Sequence, residues 1–272
     1  AAALGAESGF LGKVGTDALS RMVCGTVRDF GVDMSRVVTS GEGQIGLAFI
    51  EYLPDGRRNY EYYRSRSVGS LYRAQELDLA YLGEAYALHF PGMLLELSPE
   101  LRETSLLAAR SAKERGVLLS FDPNIRFELG NGSESLARLV SVLQMADVVA
   151  PTLVEGRMIT GKTSTGDVLR ALHAMGPKLV ALTRDKDGAA VSFGGQVALC
   201  DGIDVPVIDP TGAGDTFTGA FCVALSEGRP AVEAARFANV AAGLAVTKFG
   251  VIESIPVRAE VDARRLAENA GR

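Results

Sequence analysis

The segment Asp209-Pro210-Thr211-Gly212-Ala213-Gly214-Asp215-Thr216-Phe217-Thr218-Gly219-Ala220 is the most informative stretch of the chain. Val205-Pro206-Val207-Ile208 before it is strand-like, and the small residues after it predict a long buried helix, Ala213–Ser226. Gly212, Ala213 and Gly214 let the backbone turn sharply into that helix. The free N–H groups of a helix start, with the positive end of its dipole, make an anion site. Asp215 falls in the first turn. A capping aspartate is the plain structural reading, but a cap needs neither Gly-Ala-Gly before it nor small residues after it. A carboxylate beside an anion hole suits phosphoryl transfer. It takes the proton of an attacking hydroxyl while the amides hold the charge of the transferring group. Acyl transfer would want a Ser or Cys nucleophile near a histidine, and the two histidines, His89 and His173, show no such arrangement.

Upstream, strands and helices alternate. Strands are expected at Tyr86–Phe90, Val117–Phe121, Asp147–Ala150 and Leu179–Thr183, and a hairpin at Ala189–Phe193 and Gln196–Cys200 around Gly194-Gly195. Helices are expected from Ser98-Pro99 to Arg115-Gly116, at Ser133–Met145, at Gly166–Met175 and, after the key segment, at Ala231–Lys248. This alternation implies a mostly parallel sheet covered on both faces, with ligands at the carboxyl ends of its strands. Nearer the start, Ala1–Leu4 reads as the end of a helix and Ser8–Leu11 as a strand. Thr16 and Asp17 can cap a helix with apolar positions Leu19, Met22, Val23, Val27 and Phe30, stopped by Gly31. Ile45–Leu53 and Arg58–Arg64 read as a hairpin turned by Pro54-Asp55-Gly56.

Composition narrows the function. The chain has 272 residues, 47% hydrophobic and 22% charged, as in a globular protein. The net charge of −5 argues against a broad nucleic-acid footprint. No apolar run reaches the roughly 18 residues of a membrane span. Three scattered cysteines (Cys24, Cys200, Cys222) without CxxC spacing read as core thiols of a reducing compartment, so a cytoplasmic location is expected. Two further glycine-rich stretches carry little. Gly41–Gly46 fits G-x-G-x-x-G but runs into a strand rather than a helix. Gly156–Thr163 fits GxxxxGK[ST], but Glu155–Ile159 reads as an amphipathic helical turn ended by Gly161 rather than a phosphate loop.

The DPTGAGDTFTGAF segment closely resembles the C-terminal signature of the ribokinase-like (PfkB-type) sugar kinases. Gly12-Lys13-Val14-Gly15-Thr16-Asp17 is similar to that family's GKVGxD, and Asp122-Pro123-Asn124-Ile125-Arg126 to its DxNxR. Ala238-Asn239-Val240-Ala241-Ala242 resembles its Asn-bearing helix near adenine, and Gly250–Pro256 its closing segment. The resemblance spans essentially the whole chain. It implies one three-layer αβα domain with a mostly parallel sheet and a small β-lid built partly from residues 45–64. It implies transfer of the ATP γ-phosphate to a primary hydroxyl of a sugar-like substrate. Asp215 would be the base, with Gly212, Ala213 and Gly214 in the anion hole. Thr183, Asp185, Gly188 and Asn239 would lie around ATP, and Glu155 would organise Mg2+ through water. Asp209, Thr211 and Ser254 have two readings, a K+ site as in some relatives or ordinary loop hydrogen bonding. Against the family pattern, an opening βα unit of roughly 30 residues is absent. Thr152 replaces Asn in N-x-x-E, and Asp185 replaces Gly in T-x-G-x-x-G.

For the substrate, Arg58–Arg64 with Ser67, Gly69 and Ser70 resembles a stretch of 2-keto-3-deoxygluconate kinases. Arg64 and Arg126 can hold a carboxylate by paired N–H bonds, and Tyr62 can add a hydroxyl. The tyrosine run has ordinary lid packing as its alternative. Fructose is the alternative sugar, with ribose or a nucleoside behind it. A non-catalytic sugar- or nucleotide-binding relative is a further alternative, against which Asp215 argues. An aromatic sheet edge is a liability alone, so a homodimer through the lid is expected.

Overall fold

Alternate residues of the central strands bury against different helices, and this divides the core into two layers. The computed structural model describes residues 1–53, 58–64, 66–126 and 132–270. Its strands in chain order are β1 (Gly12–Val14), β2 (Val37–Thr39), β3 (Leu47–Tyr52), β4 (Arg58–Tyr63), β5 (Ala87–Pro91), β6 (Leu118–Asp122), β7 (Val148–Val149), β8 (Leu179–Thr183), β9 (Ala189–Phe193) and β10 (Gln196–Cys200). Its helices are α1 (Ala18–Asp29), α2 (Leu79–Gly83), α3 (Leu94–Leu97), α4 (Pro99–Arg115), α5 (Ser133–Leu143), α6 (Leu153–Thr160), α7 (Thr165–Ala174), α8 (Ala213–Ser226), α9 (Ala231–Ala245), α10 (Val251–Ser254) and α11 (Arg258–Ala270). The main sheet runs β10-β9-β8-β7-β6-β5, parallel from β5 to β8, with the β9-β10 hairpin antiparallel at its edge. Val148, Leu179, Ala181 and Val191 pack towards α8, α9 and α11. Their neighbours Val149, Val180, Leu182 and Ala190 pack towards α3 to α7. This is a three-layer αβα sandwich around a mostly parallel sheet.

Several expected elements move. Ala1–Leu4 closes as a single 3₁₀ turn, Ala2–Leu4. Ser8–Leu11 forms only an isolated bridge, Gly9 to Asp33, and regular pairing starts at Gly12, where β1 runs parallel to β2. Asp17 caps α1 by accepting the Ser20 N–H at 2.9 Å. In α1 the expected apolar face is turned out: Leu19, Met22 and Val23 are exposed, while Ser20 and Cys24 are buried. Ser20 is drawn inward because its hydroxyl accepts from Gly15 N and donates to Asp17. Val205–Ile208 is not a strand. Pro206 has no N–H to offer a ladder, and the Ile208 and Asp209 amides both donate to Val246 O beyond the end of α9. Helix α6 ends at Gly161, φ 66°, as an ordinary helix end and not a phosphate loop. His173 is half-buried. Its Nδ1 donates to Pro177 O at 2.8 Å, and its Nε2 accepts from the Ser192 hydroxyl at 2.8 Å. No described helix is long and apolar enough to cross a membrane.

Strands β3 and β4 form the separate antiparallel lid, in register from Leu47 opposite Tyr63 to Tyr52 opposite Arg58. The expected turn at 54–56 lies outside the described residues. Directly opposed residues share a face. One face therefore carries Ala48, Ile50, Tyr52, Tyr60 and Tyr62, and the other Leu47, Phe49, Glu61 and Tyr63.

Candidate active site

The start of α8 is built as the sequence implies. Gly212 stands at the N-cap with φ 83°, a left-handed conformation glycine adopts at little cost. A side chain there would meet Val251 Cγ1 at 3.0 Å. No side chain caps the helix, so Asp215 is not its cap. Thr216 N reaches Gly212 O at 2.8 Å and Ala213 N makes a long bond to Pro210 O at 3.3 Å, while the first amides of a helix have no acceptor inside it. Asp215 stands exposed in the first turn. Desolvation nevertheless pushes its carboxyl above the usual range, and the guanidinium of Arg126 opposes that rise. A carboxylate poised in this way can accept a proton from a hydroxyl while adjacent amides hold an anion.

Asp122, at the end of β6, completes the acidic centre. It is 7% exposed. Burial first, and then the negative charge of Glu155 and more weakly of Asp215, push it up to about 7 against the bonds it accepts from Asn124. Its Oδ1 accepts Asn124 N at 3.0 Å. This turn forces Asn124 to φ 41° and leaves its Oδ1 buried with no hydrogen-bond partner. The next amide, Ile125 N, donates to Glu155 Oε1 at 2.8 Å. Glu155 Oε2 accepts the Thr152 N–H and hydroxyl, each at 2.8 Å. Thr152, in the Asn position of the family pattern, thus forms a capping box that fixes Glu155. In the sequence Asp122 stands out only as the first residue of the DxNxR match. The signal for its role was its spacing before Asn124 and Arg126 at a strand's carboxyl end, where ligands gather.

The expected nucleotide residues divide. Thr183 closes β8, with its N–H on Pro151 O at 2.9 Å. Asp185 occupies the glycine position with φ 57°, a conformation aspartate tolerates better than most residues. Gly188, at φ 79°, has no room for a side chain, since a Cβ would lie 2.2 Å from Cys200 O. Gly202 faces it, and a Cβ there would lie 2.3 Å from Lys186 O. Asn239 is buried, and its amide donates to Cys200 O and Asp201 O at 2.9 and 3.0 Å. It braces the 200–202 loop against which Gly188 packs.

On the substrate side, Arg64 lies over the Tyr62 ring, 4.7 Å from its centroid, and its Nη1 touches Met93 Sδ at 3.6 Å. Burial lowers the Arg64 pKa, and the nearby charge of Arg126 adds to the effect. Tyr60 and Tyr62 stack with centroids 6.1 Å apart. Arg64 and Arg126 therefore lie in one electrostatic neighbourhood, and Arg126 in that of Asp215 as well. Asp209 and Thr211 come together, with Thr211 Oγ1 donating to Asp209 Oδ1 at 2.6 Å, whereas Ser254 Oγ donates to Val251 O at 2.9 Å. Loop hydrogen bonding is the role of these three that the geometry displays.

Comparison with known proteins agrees with this fold. The chain is 35% identical over 270 residues to a fructokinase-1 of Zea mays, covering 95% of this chain and 82% of that protein. Its fold matches a fructokinase from Vibrio cholerae O395, whose crystal structure holds fructose, ADP and calcium, with TM-score 0.88 and 26% identity over 96% of this chain and 86% of the other. It also matches a PfkB protein from Polaromonas sp. JS666, with TM-score 0.87 and 28% identity over 96% and 85%. The model of the pfkB family of carbohydrate kinases matches residues 1–258. The stretch from Gly212 to Asp215 and the α/β frame that carries it thus belong to a member of the pfkB carbohydrate kinase family, and the chain is a sugar kinase of that family.

Proposed function

We propose that this kinase transfers the γ-phosphate of ATP to a primary hydroxyl of fructose. Two observations support the choice of sugar: the Zea mays relative is a fructokinase, and the Vibrio fructokinase whose fold matches holds fructose with ADP. The sequence alone favours 2-keto-3-deoxygluconate, and the relatives support fructose better. The observation that carries the mechanism is Asp215 in the first turn of an uncapped helix, within the field of Arg126. Asp215 accepts the proton of the attacking hydroxyl. The amides of Gly212, Ala213 and Gly214 stabilise charge on the transferring group. Tyr60, Tyr62 and Arg64 on the lid, with Arg126 below, hold the sugar.

The acidic centre fits Mg2+ chemistry. Asp122 and Glu155 are buried carboxylates coupled to each other, and the Asn124 Oδ1 beside them has no partner. Among the described residues no three metal-binding side chains are close enough to cage an ion by themselves. That suits Mg2+ held by one or two carboxylates, water and phosphate oxygens. Bound there, the ion would neutralise phosphate charge. The chain's own contribution is to fix Glu155 through Thr152 and Ile125, and so the direction it faces.

A second reading has its own observation. The guanidiniums of Arg64 and Arg126, whose charges act on each other, suit an acidic sugar such as 2-keto-3-deoxygluconate. Comparing kcat/KM for fructose, 2-keto-3-deoxygluconate, ribose and adenosine with Mg-ATP decides between them. Fructose is expected to lead by at least about ten-fold, which is roughly 1.4 kcal/mol of discrimination. A lead for the keto-deoxy acid would transfer the assignment to the second reading.

A further inference from the structure

We propose that Tyr52 is a positioning residue that fastens the lid to the loop preceding the anion hole, so that closure over the sugar is coupled to the nucleotide. Tyr52 ends β3 on the same face as Tyr60 and Tyr62. Its hydroxyl donates to Asp209 Oδ2 at 3.1 Å, and its ring meets Phe249 with centroids 5.5 Å apart. Asp209 is no ordinary surface acceptor, being 2% exposed. Its Oδ1 accepts from Thr211 N at 3.0 Å and Thr211 Oγ1 at 2.6 Å, and its Oδ2 from Gly250 N at 3.3 Å. Burial alone would raise this carboxyl, but the bonds from Thr211, Gly250 and Tyr52 outweigh that and hold it below its usual value. One ionised carboxylate therefore gathers donors from three elements: the lid, the turn into α8, and the turn into α10.

The turn into α10 also touches the anion hole directly. Val251 fills the space that a Gly212 side chain would take. Nucleotide phosphates settling on Gly212 to Asp215 order the same loop from which Asp209 holds Tyr52. Tyr52 and Phe249 are 47% and 66% exposed, so the contact can form and release without opening the core. A two-stranded hairpin is marginal alone in water, so such an anchor changes how long the lid stays down. Coupling of this kind is reciprocal, and nucleotide should tighten sugar binding by the same factor as sugar tightens nucleotide.

Tyr52→Phe keeps the ring and removes the donor. One modest hydrogen bond corresponds to about a five-fold effect. The sugar KM, measured with the best sugar of the panel, is expected to rise about that much with kcat within two-fold. The fall in sugar KM between low and saturating Mg-ATP should shrink. Phe249→Ala should act in the same direction. The chain has no tryptophan, so Phe249→Trp, which keeps the Tyr52 hydroxyl and an aromatic ring against it, supplies a single reporter that needs no knowledge of the sugar. Mg-ATP alone is expected to shift its emission. An unchanged sugar KM in Tyr52→Phe, a loss confined to kcat, or an emission blind to saturating Mg-ATP would overturn the proposal.

Discussion

Asp122 shows at the scale of one residue what burial among like charges does. Its carboxyl holds a proton up to about pH 7 in the folded chain, whereas in the unfolded chain it ionises near ~4. Between those values the folded state binds more protons, so stability falls as pH rises. The contribution is fully present below about pH 4 and is lost as pH passes through about 7. Asp122→Asn removes the titration. Its Tm relative to the parent is expected to be higher at pH 8 than at pH 5 by roughly 2–4 °C for each kcal/mol involved. Equal differences at both pH values, followed by scanning calorimetry, would contradict this. The uncapped start of α8 and the place of Asp215 in its first turn were legible from sequence because Gly212 to Asp215 are contiguous and their conformation is set locally. The charge state of Asp122 was not, because Glu155 and Asp215 reach it only through the fold.

At the scale of elements, the legible parts are those whose period or punctuation is local. Helix α4 follows from Ser98, Pro99 and Gly116, and the β9-β10 hairpin from Gly194-Gly195. Helix α1 misled because short-range hydrogen bonds from Gly15 and to Asp17 hold Ser20 inward, against its apolar periodicity. Val205–Ile208 misled because Val207 and Ile208 are exposed rather than paired in a sheet. The loop after β8 gives a direct test. Gly188 has φ 79° and ψ −128°, and its missing side chain makes room for Cys200 O. Gly188→Ala is expected to cost about 2–4 kcal/mol through strain and displacement of the 200–202 loop. A calorimetric Tm within 1–2 °C of the parent would show that the loop yields without cost.

At the scale of the molecule, one αβα frame brings residues from β6, α6, α8 and the lid to one end of its parallel strands, as such sheets do. The lid leaves its other face open. Phe49 and Tyr63 are 56% and 58% exposed and meet edge to face, in a depression of about 750 Å³ that Leu47 and Glu61 also line. Such a face favours pairing with a second copy. Light scattering is expected to give a dimer mass for the parent and a monomer for Phe49→Asp, and a monomeric parent would contradict this. The account rests most heavily on Asp215 as the base of phosphoryl transfer. Its most direct test is ADP release from Mg-ATP and fructose by the parent and by Asp215→Asn. The account predicts sugar-dependent turnover that falls by about 10²- to 10⁴-fold in the variant with its Tm little changed. A folded Asp215→Asn variant that keeps the parent rate would contradict it.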